Sequence, residues 1–308
     1  MPVLPADVRL KLYAETMQFR SERGWGYRRI SRALREEHGI QISEGTVQNW
    51  IRGIHNPIMR LHRYFEPIAS PELSYVIGIV LGDGYTTVDQ GRIIVGLTNK
   101  DKHLLMVFVR SVAKILKTPS AGRIVKGTQY GTLKATVGST LLGLFLRKPL
   151  NELIPFIVQY PAEFVSGFFD AEGCVGVGAG GKSLRVNLSA SNTDVTILEL
   201  IRALLNEKFG IASSIHIGRI PQGISLVHGE KVRFKKTVFV LRISKRQDVD
   251  EFARKIGFAS IRKQRRLEDI LSILQHYGPK EGHHEWTRPY SKVDDRWVRK
   301  DDGGPGEN

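Results

Sequence analysis

Cysteine is almost missing from this chain: one residue, Cys174, in 308. No internal disulfide can form between its own residues and no zinc site can be built from cysteines, which suits a reducing compartment. The sequence also has no apolar run of the roughly 18 residues that cross a bilayer. The N-terminus lacks the basic, apolar, small-residue order of a secretory signal. The expected location is therefore cytoplasmic, with neither export nor membrane spanning. Acidic residues are in deficit, 31 Asp and Glu against 46 Lys and Arg, a net charge of +15. Such an excess calls for a polyanionic partner, and no basic amphipathic segment concentrates it for an anionic membrane. Nucleic acid is the expected partner and a nucleoid-associated location follows.

What is present is ordinary for a folded protein with sizeable cores: 41% apolar and 25% charged residues. The charge is uneven. Residues 61–276 hold 30 basic against 18 acidic side chains, whereas the segment from 277 holds six and seven. That last segment, 277–308, mixes Gly, Pro and both signs of charge without periodicity and reads as a flexible polar tail; its adjacent His283 and His284 read as solvated. At the other end, "VRLKLYAETMQFRSERG" reads as a helix stopping at Gly24. Tyr27, Ile30 and Leu34 fall on one face of a second helix, with Ala33 beside them. Gly39 suits its stop, Ser43 an N-cap, and Val47, Trp50, Ile51 and Ile54 the buried stripe of a third short helix. Two short helices joined by such a turn resemble a helix-turn-helix, whose second helix enters the major groove. Its open face offers Glu44, Thr46, Gln48 and Asn49, with Arg28, Arg29 and Arg52 placed for phosphates. A plain three-helix cap fits the same pattern. Residues 1–56 are taken as this unit and 57–71 as a proline-punctuated linker.

The remainder repeats itself. "YVIGIVLGDG" (75–84) matches "FVSGFFDAEG" (164–173): Gly78 falls on Gly167, Gly82 on Ala171, Asp83 on Glu172 and Gly84 on Gly173. "TNKDKHLL" answers "SNTDVTIL", pairing Asn99 with Asn192 and Asp101 with Asp194, and "GRI" recurs at 122–124 and 218–220. Two copies of one supersecondary unit explain this, 72–160 and 161–276. The strand "SLRVNLSAS" alternates, with Leu184, Val186, Leu188 and Ala190 on one face and Arg185, Asn187 and Ser189 on the other. "RIIVGLTN" keeps that parity, burying Ile93, Val95 and Leu97 and leaving Arg92 and Thr98 open. In "GTLKATV", Lys134 joins them. An open sheet face of Arg, Lys, Asn, Ser and Thr suits a duplex, and also suits plain solvent. Each copy reads helix, two strands, helix, two strands, helix, an α+β fold of two pseudo-symmetric αββαββα repeats.

Small residues four apart, Gly78 with Gly82 and Gly167 with Ala171, let two helix backbones approach closely. Packing the duplicated helices together brings Asp83 and Glu172 to adjacent negative helix ends, each followed by a glycine read as a C-cap, where ionising both is costly. A divalent cation removes that conflict, and hard carboxylate oxygens suit Mg²⁺, with Mn²⁺ a substitute. Two acids simply facing solvent is the alternative.

These motifs resemble the two LAGLIDADG sequences of the homing endonuclease family in its single-chain form. The resemblance covers roughly residues 70–275 and implies a DNA-binding saddle of two sheets. It further implies that Asp83 and Glu172 coordinate metal and act catalytically in double-strand cleavage. Motif one departs in carrying Leu81 where an acid is frequent, and motif two ends in Glu. The family often has a basic residue near the scissile phosphates, for which "LRKPL" and "IRKQRRL" offer Lys148 and Lys263. A monomer with an internal pseudo-two-fold, bound to double-stranded DNA, is the expected assembly. A non-cleaving DNA-binding transcription regulator and an RNA-splicing maturase share this architecture.

Overall fold

The computed structural model describes residues 4, 6–54, 57, 65–89, 92–119, 122–127, 131–178, 183–221, 224–227, 230–233, 236–293 and 296–300. Three helices come first: α1 (Ala6–Arg23), α2 (Tyr27–His38) and α3 (Glu44–Ile51). Gly24 and Gly39 take the left-handed conformation that stops α1 and α2. The Ser43 hydroxyl accepts from the Thr46 amide, as an N-cap should. Leu12, Phe19, Ile30, Leu34, Ile42, Val47 and Trp50 form a core belonging to these helices. The Ser31 hydroxyl donates to the Ile42 carbonyl at 2.6 Å and pins the turn between α2 and α3. Residues 58–64 of the linker lie outside the described residues.

The two copies then follow in order. The first comprises α4 (Pro71–Leu81), β1 (Gly84–Asp89), β2 (Arg92–Asn99), α5 (Lys102–Ile115), β3 (Arg123–Lys126), β4 (Leu133–Gly138) and α6 (Thr140–Leu146). A short α7 (Leu150–Ile157) leads to the second, which comprises α8 (Pro161–Glu172), β5 (Gly173–Gly178), β6 (Arg185–Asn192), α9 (Val195–Phe209), β7 (Ser214–Arg219), β10 (Val238–Ile243) and α10 (Arg246–Lys255). An additional hairpin, β8 (Ile224–Val227) with β9 (Glu230–Arg233), interrupts it. Each copy forms a four-stranded antiparallel sheet with the same winding, β1-β2-β4-β3 and β5-β6-β10-β7.

Local chemistry explains why both copies fold alike. In each, an Asn at the end of the second strand accepts the backbone N–H two residues on, Asn99 from Asp101 at 3.0 Å and Asn192 from Asp194 at 2.9 Å. The following Asp caps the next helix, Asp101 over His103 and Leu104, Asp194 over Thr196. The apolar parity of β2 and β6 is as expected: Ile93, Val95, Leu97, Val186, Leu188 and Ala190 are buried. All but Ile93 join one core with Leu104, Phe108, Leu198, Ile201 and the contact faces of α4 and α8.

The segment 277–308, expected as a flexible tail, is folded over 277–293 and 296–300, and its other residues lie outside the described ones. The helix α11 (Ile261–Thr287) breaks at Gly278, φ 68°, before Pro279, and the chain turns back onto the second sheet. The Leu184 amide donates to the Pro279 carbonyl at 2.7 Å. Trp286 is fully buried and stacks on Tyr290 with ring centres 3.8 Å apart. A hairpin of β11 (Tyr290–Val293) and β12 (Arg296–Arg299) places Trp297, whose indole N–H donates to the Val177 carbonyl at 3.1 Å. Charges of both signs hid three aromatic anchors, and burying one large ring outweighs several solvated charges. Trp286→Ala is expected to cost about 3–5 kcal/mol, read as a lower urea midpoint.

Candidate metal centre and sheet faces

Helices α4 and α8 lie against each other with almost no side chain between them at two points. A Cβ added at Gly78 would sit 2.3 Å from the Phe164 carbonyl oxygen; one at Gly167 would sit 2.3 Å from that of Tyr75. Nearer the C-terminal ends, a Cβ at Gly82 would meet the Ala171 Cβ at 2.6 Å and the Glu172 Cγ at 3.0 Å. Gly78 and Gly167 are thus contact points between backbones, Gly82 packs on the Ala171 and Glu172 side chains, and the helix ends carrying Asp83 and Glu172 are held together.

The glycines there serve space more than left-handed geometry, and of the two C-cap glycines expected after the acids Gly173 is one whereas Gly84 is not. Gly82, before Asp83, caps α4 with φ −94°, and Gly173 caps α8 in extended form with φ −79°. A Cβ at Gly84 would lie 2.7 Å from the Val80 Cα, and one at Gly173 2.3 Å from the Phe169 carbonyl oxygen. Each chain folds straight from the acid into a strand, so both carboxylates stay at the helix junction.

Their electrostatics follow from crowding. Loss of surrounding water, then the neighbouring Asp83 charge, pushes the Glu172 carboxyl up to about 7, with Lys263 pulling the other way. Asp83 reaches solvent, yet the protein around it removes enough water to raise its pKa too, again against Lys263. Glu172 therefore keeps its proton in the folded, metal-free protein at pH values where the unfolded chain, near 4.5, has lost it. The stabilisation is fully present below that lower value and is lost as pH rises through about 7. Metal-free protein should lose on the order of 2 kcal/mol across this interval, and Glu172→Gln should flatten the profile in chemical denaturation. Lys263, pushed down to about 8 by burial, changes stability mainly at more alkaline pH.

Behind the acids, Lys263 donates to the carbonyls of Phe169 (2.9 Å), Asp170 (2.6 Å) and Ala171 (3.4 Å). Asp170 is fully buried and accepts from the Tyr75 hydroxyl at 2.8 Å and from the amides of Ala259 and Ser260, both at 3.0 Å. Burial raises its pKa and these donors oppose the rise.

Register fixes the open faces of the sheets. In the first, Arg92 lies opposite Asp89, and Thr98 opposite Lys134. Lys134 also holds its ammonium 5.2 Å above the Tyr85 ring, which lies flat over Gly96. In the second, Arg185, Asn187 and Ser189 lie opposite Gly178, Gly176 and Cys174. Arg242 on β10 pairs with Ser189 and Ser214.

Residues 159–257 match the family model described as a LAGLIDADG-like domain. The second repeat is a LAGLIDADG-like domain. The uncharacterized protein MJ0398 of Methanocaldococcus jannaschii is 29% identical over 258 residues, covering 83% of this chain and 92% of that one. The homing endonuclease I-DmoI, solved in complex with DNA and Mn, is 24% identical, covers 61% of this chain and 97% of its own, and superposes with a TM-score of 0.44. The N-terminal LAGLIDADG domain of DUF199/WhiA is 18% identical over 66% of this chain and 89% of its own, with a TM-score of 0.42.

Of the residues named from sequence, Asp83, Glu172 and Lys263 meet at the end of the LAGLIDADG-like helix α8, and Lys148 does not. Lys148 is exposed in the turn after α6 and paired with Glu152 at 2.7 Å. The turn there is followed at once by α7, which claims that side chain. In α3, Glu44 is tied to Arg28 at 3.3 Å and Thr46 to Ser43, leaving Gln48 and Asn49 half-buried and Arg52 exposed. Sequence reasoning missed Asp170, although it stands in the quoted motif, because its counterpart Leu81 is apolar and the repeat hid its role. Arg242 and Tyr85 were missed as well; strand parity was the signal that could have found them. Among the described residues, no helix is long and apolar enough to cross a membrane.

Proposed function

We propose that this chain is a divalent-metal-dependent endonuclease that hydrolyses phosphodiester bonds in duplex DNA. The observation that carries the reading is the meeting of two carboxylates, Asp83 and Glu172, at the ends of two packed, duplicated helices, where loss of water raises both pKa values and the Asp83 charge raises that of Glu172 further. Two oxygen donors of high charge and little flexibility fit Mg²⁺, or Mn²⁺ in its place, with the remaining coordination left to water and phosphate. When bound, such a cation stabilises charge on phosphate oxygens and lowers the pKa of water. The chain's own residues do the rest. Asp83 and Glu172 would hold the cation, and the Lys263 charge opposes the rise in both their pKa values. Arg92, Lys134 and Arg185 meet phosphates, and Thr98, Asn187 and Ser189 offer hydrogen bonds to base edges.

The two halves differ in sequence, so one monomer can read an asymmetric site without dimer symmetry. The N-terminal helices add a helix-turn-helix contact through Thr46, Gln48, Asn49 and Arg52. That unit, with its own core, also supports a second reading, a DNA-binding regulator that does not cut. Plasmid carrying the DNA that flanks this protein's gene separates the two. Linear product with Mg²⁺ and none with chelator is the expected result; retention without cutting in either condition favours the regulator. The basic face has a separate test. Arg185→Ala and Lys134→Ala should each reduce the slope of log affinity against log salt by about 0.9 if each side chain neutralises one phosphate.

A further inference from the structure

The N-terminal helices are fastened to the far end of the first sheet. β1 leaves Asp83 and runs six residues to Asp89, a distance of about 20 Å, and Asp89 lies opposite Arg92, the first residue of β2. Helix α6 packs behind that end. The Ser139 amide just before it donates to the Ile93 carbonyl at 3.0 Å, and a Cβ added at Gly143 would strike the Ile93 side chain. Two contacts then tie the N-terminal unit to α6. Helix α1 lies against it, and the chain leaving the linker enters the core at Phe65, buried with its ring centre 5.4 Å from that of Phe145 on α6. There is one such unit for two repeats, so whatever it binds lies to one side of the pseudo-two-fold.

The charge of that unit gathers on α2. Ile30 and Leu34 bury one face of the helix, and Arg28, Arg32 and Arg35, at i, i+4 and i+7, are exposed along another. Arg28 is tied to Glu44 at the start of α3. Among the described residues neither Arg32 nor Arg35 has an acidic partner. Planar guanidiniums in a row suit phosphate oxygens, and the first helix of a helix-turn-helix crosses the nucleic-acid backbone. The row's neighbours on the helix are Ser31, Glu36 and Arg29, not the apolar side chains that a membrane surface requires. We propose that Arg32 and Arg35 hold phosphates of duplex DNA just outside the half-site read by the first sheet, so that the bound stretch reaches further on that side than on the other. A unit on the same face of the duplex meets the next groove after about one helical turn, which sets the extra length at about 10 base pairs. This rests on the DNA-binding part of the reading above and not on cutting.

The test uses the full chain, chelator to prevent cutting, and duplex DNA that the chain itself selects from a random-sequence pool, read by hydroxyl-radical footprinting. Protection about 10 base pairs longer on one side of the centre is expected. Arg185→Ala marks the second half-site by loosening protection there, and the extra stretch should lie on the opposite side. Arg32→Ala combined with Arg35→Ala should erase the outer protection, keep the inner protection and lower the slope of log affinity against log salt by about 1.8, two phosphates at about 0.9 each. Both side chains are exposed, so the double variant keeps the core of the three helices. Protection symmetric about the centre would overturn the proposal. So would an extra stretch on the side that Arg185→Ala loosens, or outer protection that survives the double variant. Wild-type protein that protects the longer stretch yet cuts nothing with Mg²⁺ removes the nuclease reading and supports this one.

Discussion

Asp83→Asn and Glu172→Gln are each expected to abolish Mg²⁺-dependent cutting, by roughly 10³-fold or more, while DNA is still retained. An amide keeps the shape of the carboxyl group and loses its charge, so the helix junction is relieved of repulsion and the cation loses a principal ligand. Folding should therefore improve slightly as activity disappears. Glu172 shows the conflict most clearly, its carboxyl pushed up to about 7 by burial and by Asp83. Retention in a gel shift at low salt should equal or exceed that of wild type, since the substitution removes a negative charge beside the phosphates. Cutting that survives in both variants would mean the metal ligands lie elsewhere.

The second large effect is on stability. Gly78→Val and Gly167→Val each place a side chain where even a Cβ would lie 2.3 Å from a backbone oxygen of the facing helix. A carbonyl of a packed helix cannot move aside as a side-chain tip can, so the helices must separate and the shared core with them. More than about 4 kcal/mol should be lost, enough to unfold many domains. Gly45 in α3 has open space around the same added atom. Gly45→Ala should be neutral or raise stability by up to about 1 kcal/mol. Urea denaturation followed by circular dichroism compares the three, and a mild effect at Gly78 would mean the helices do not pack through their backbones.

The readable parts of the sequence were those encoded by neighbouring residues. Spacing of small residues in Gly78–Gly82 and Gly167–Ala171 is a property of one helix face, and the parity of β2 and β6 is a property of one strand. Their duplication multiplied each weak signal, which is why the paired acids could be singled out. The rest depends on partners far apart in the chain. Lys263 reaches carbonyls some ninety positions earlier, and no local pattern distinguishes it from Lys148, which instead pairs with Glu152 one turn along. Ser260 bonding to Asp101 across 159 positions is equally invisible to periodicity. The C-terminal segment was misread because composition weighs every residue alike, whereas Trp286 and Tyr290 are buried and Trp297 packs against the same core.

Crystals of the protein grown with duplex DNA and Mn²⁺, measured for anomalous scattering, test the central claim most directly. A manganese peak bridging the Asp83 and Glu172 carboxylates, absent from Glu172→Gln crystals, is the expected result. A peak only elsewhere, such as at Glu15, Glu37 and His38, whose ligand atoms lie within 4.8 Å of one another, would contradict the account.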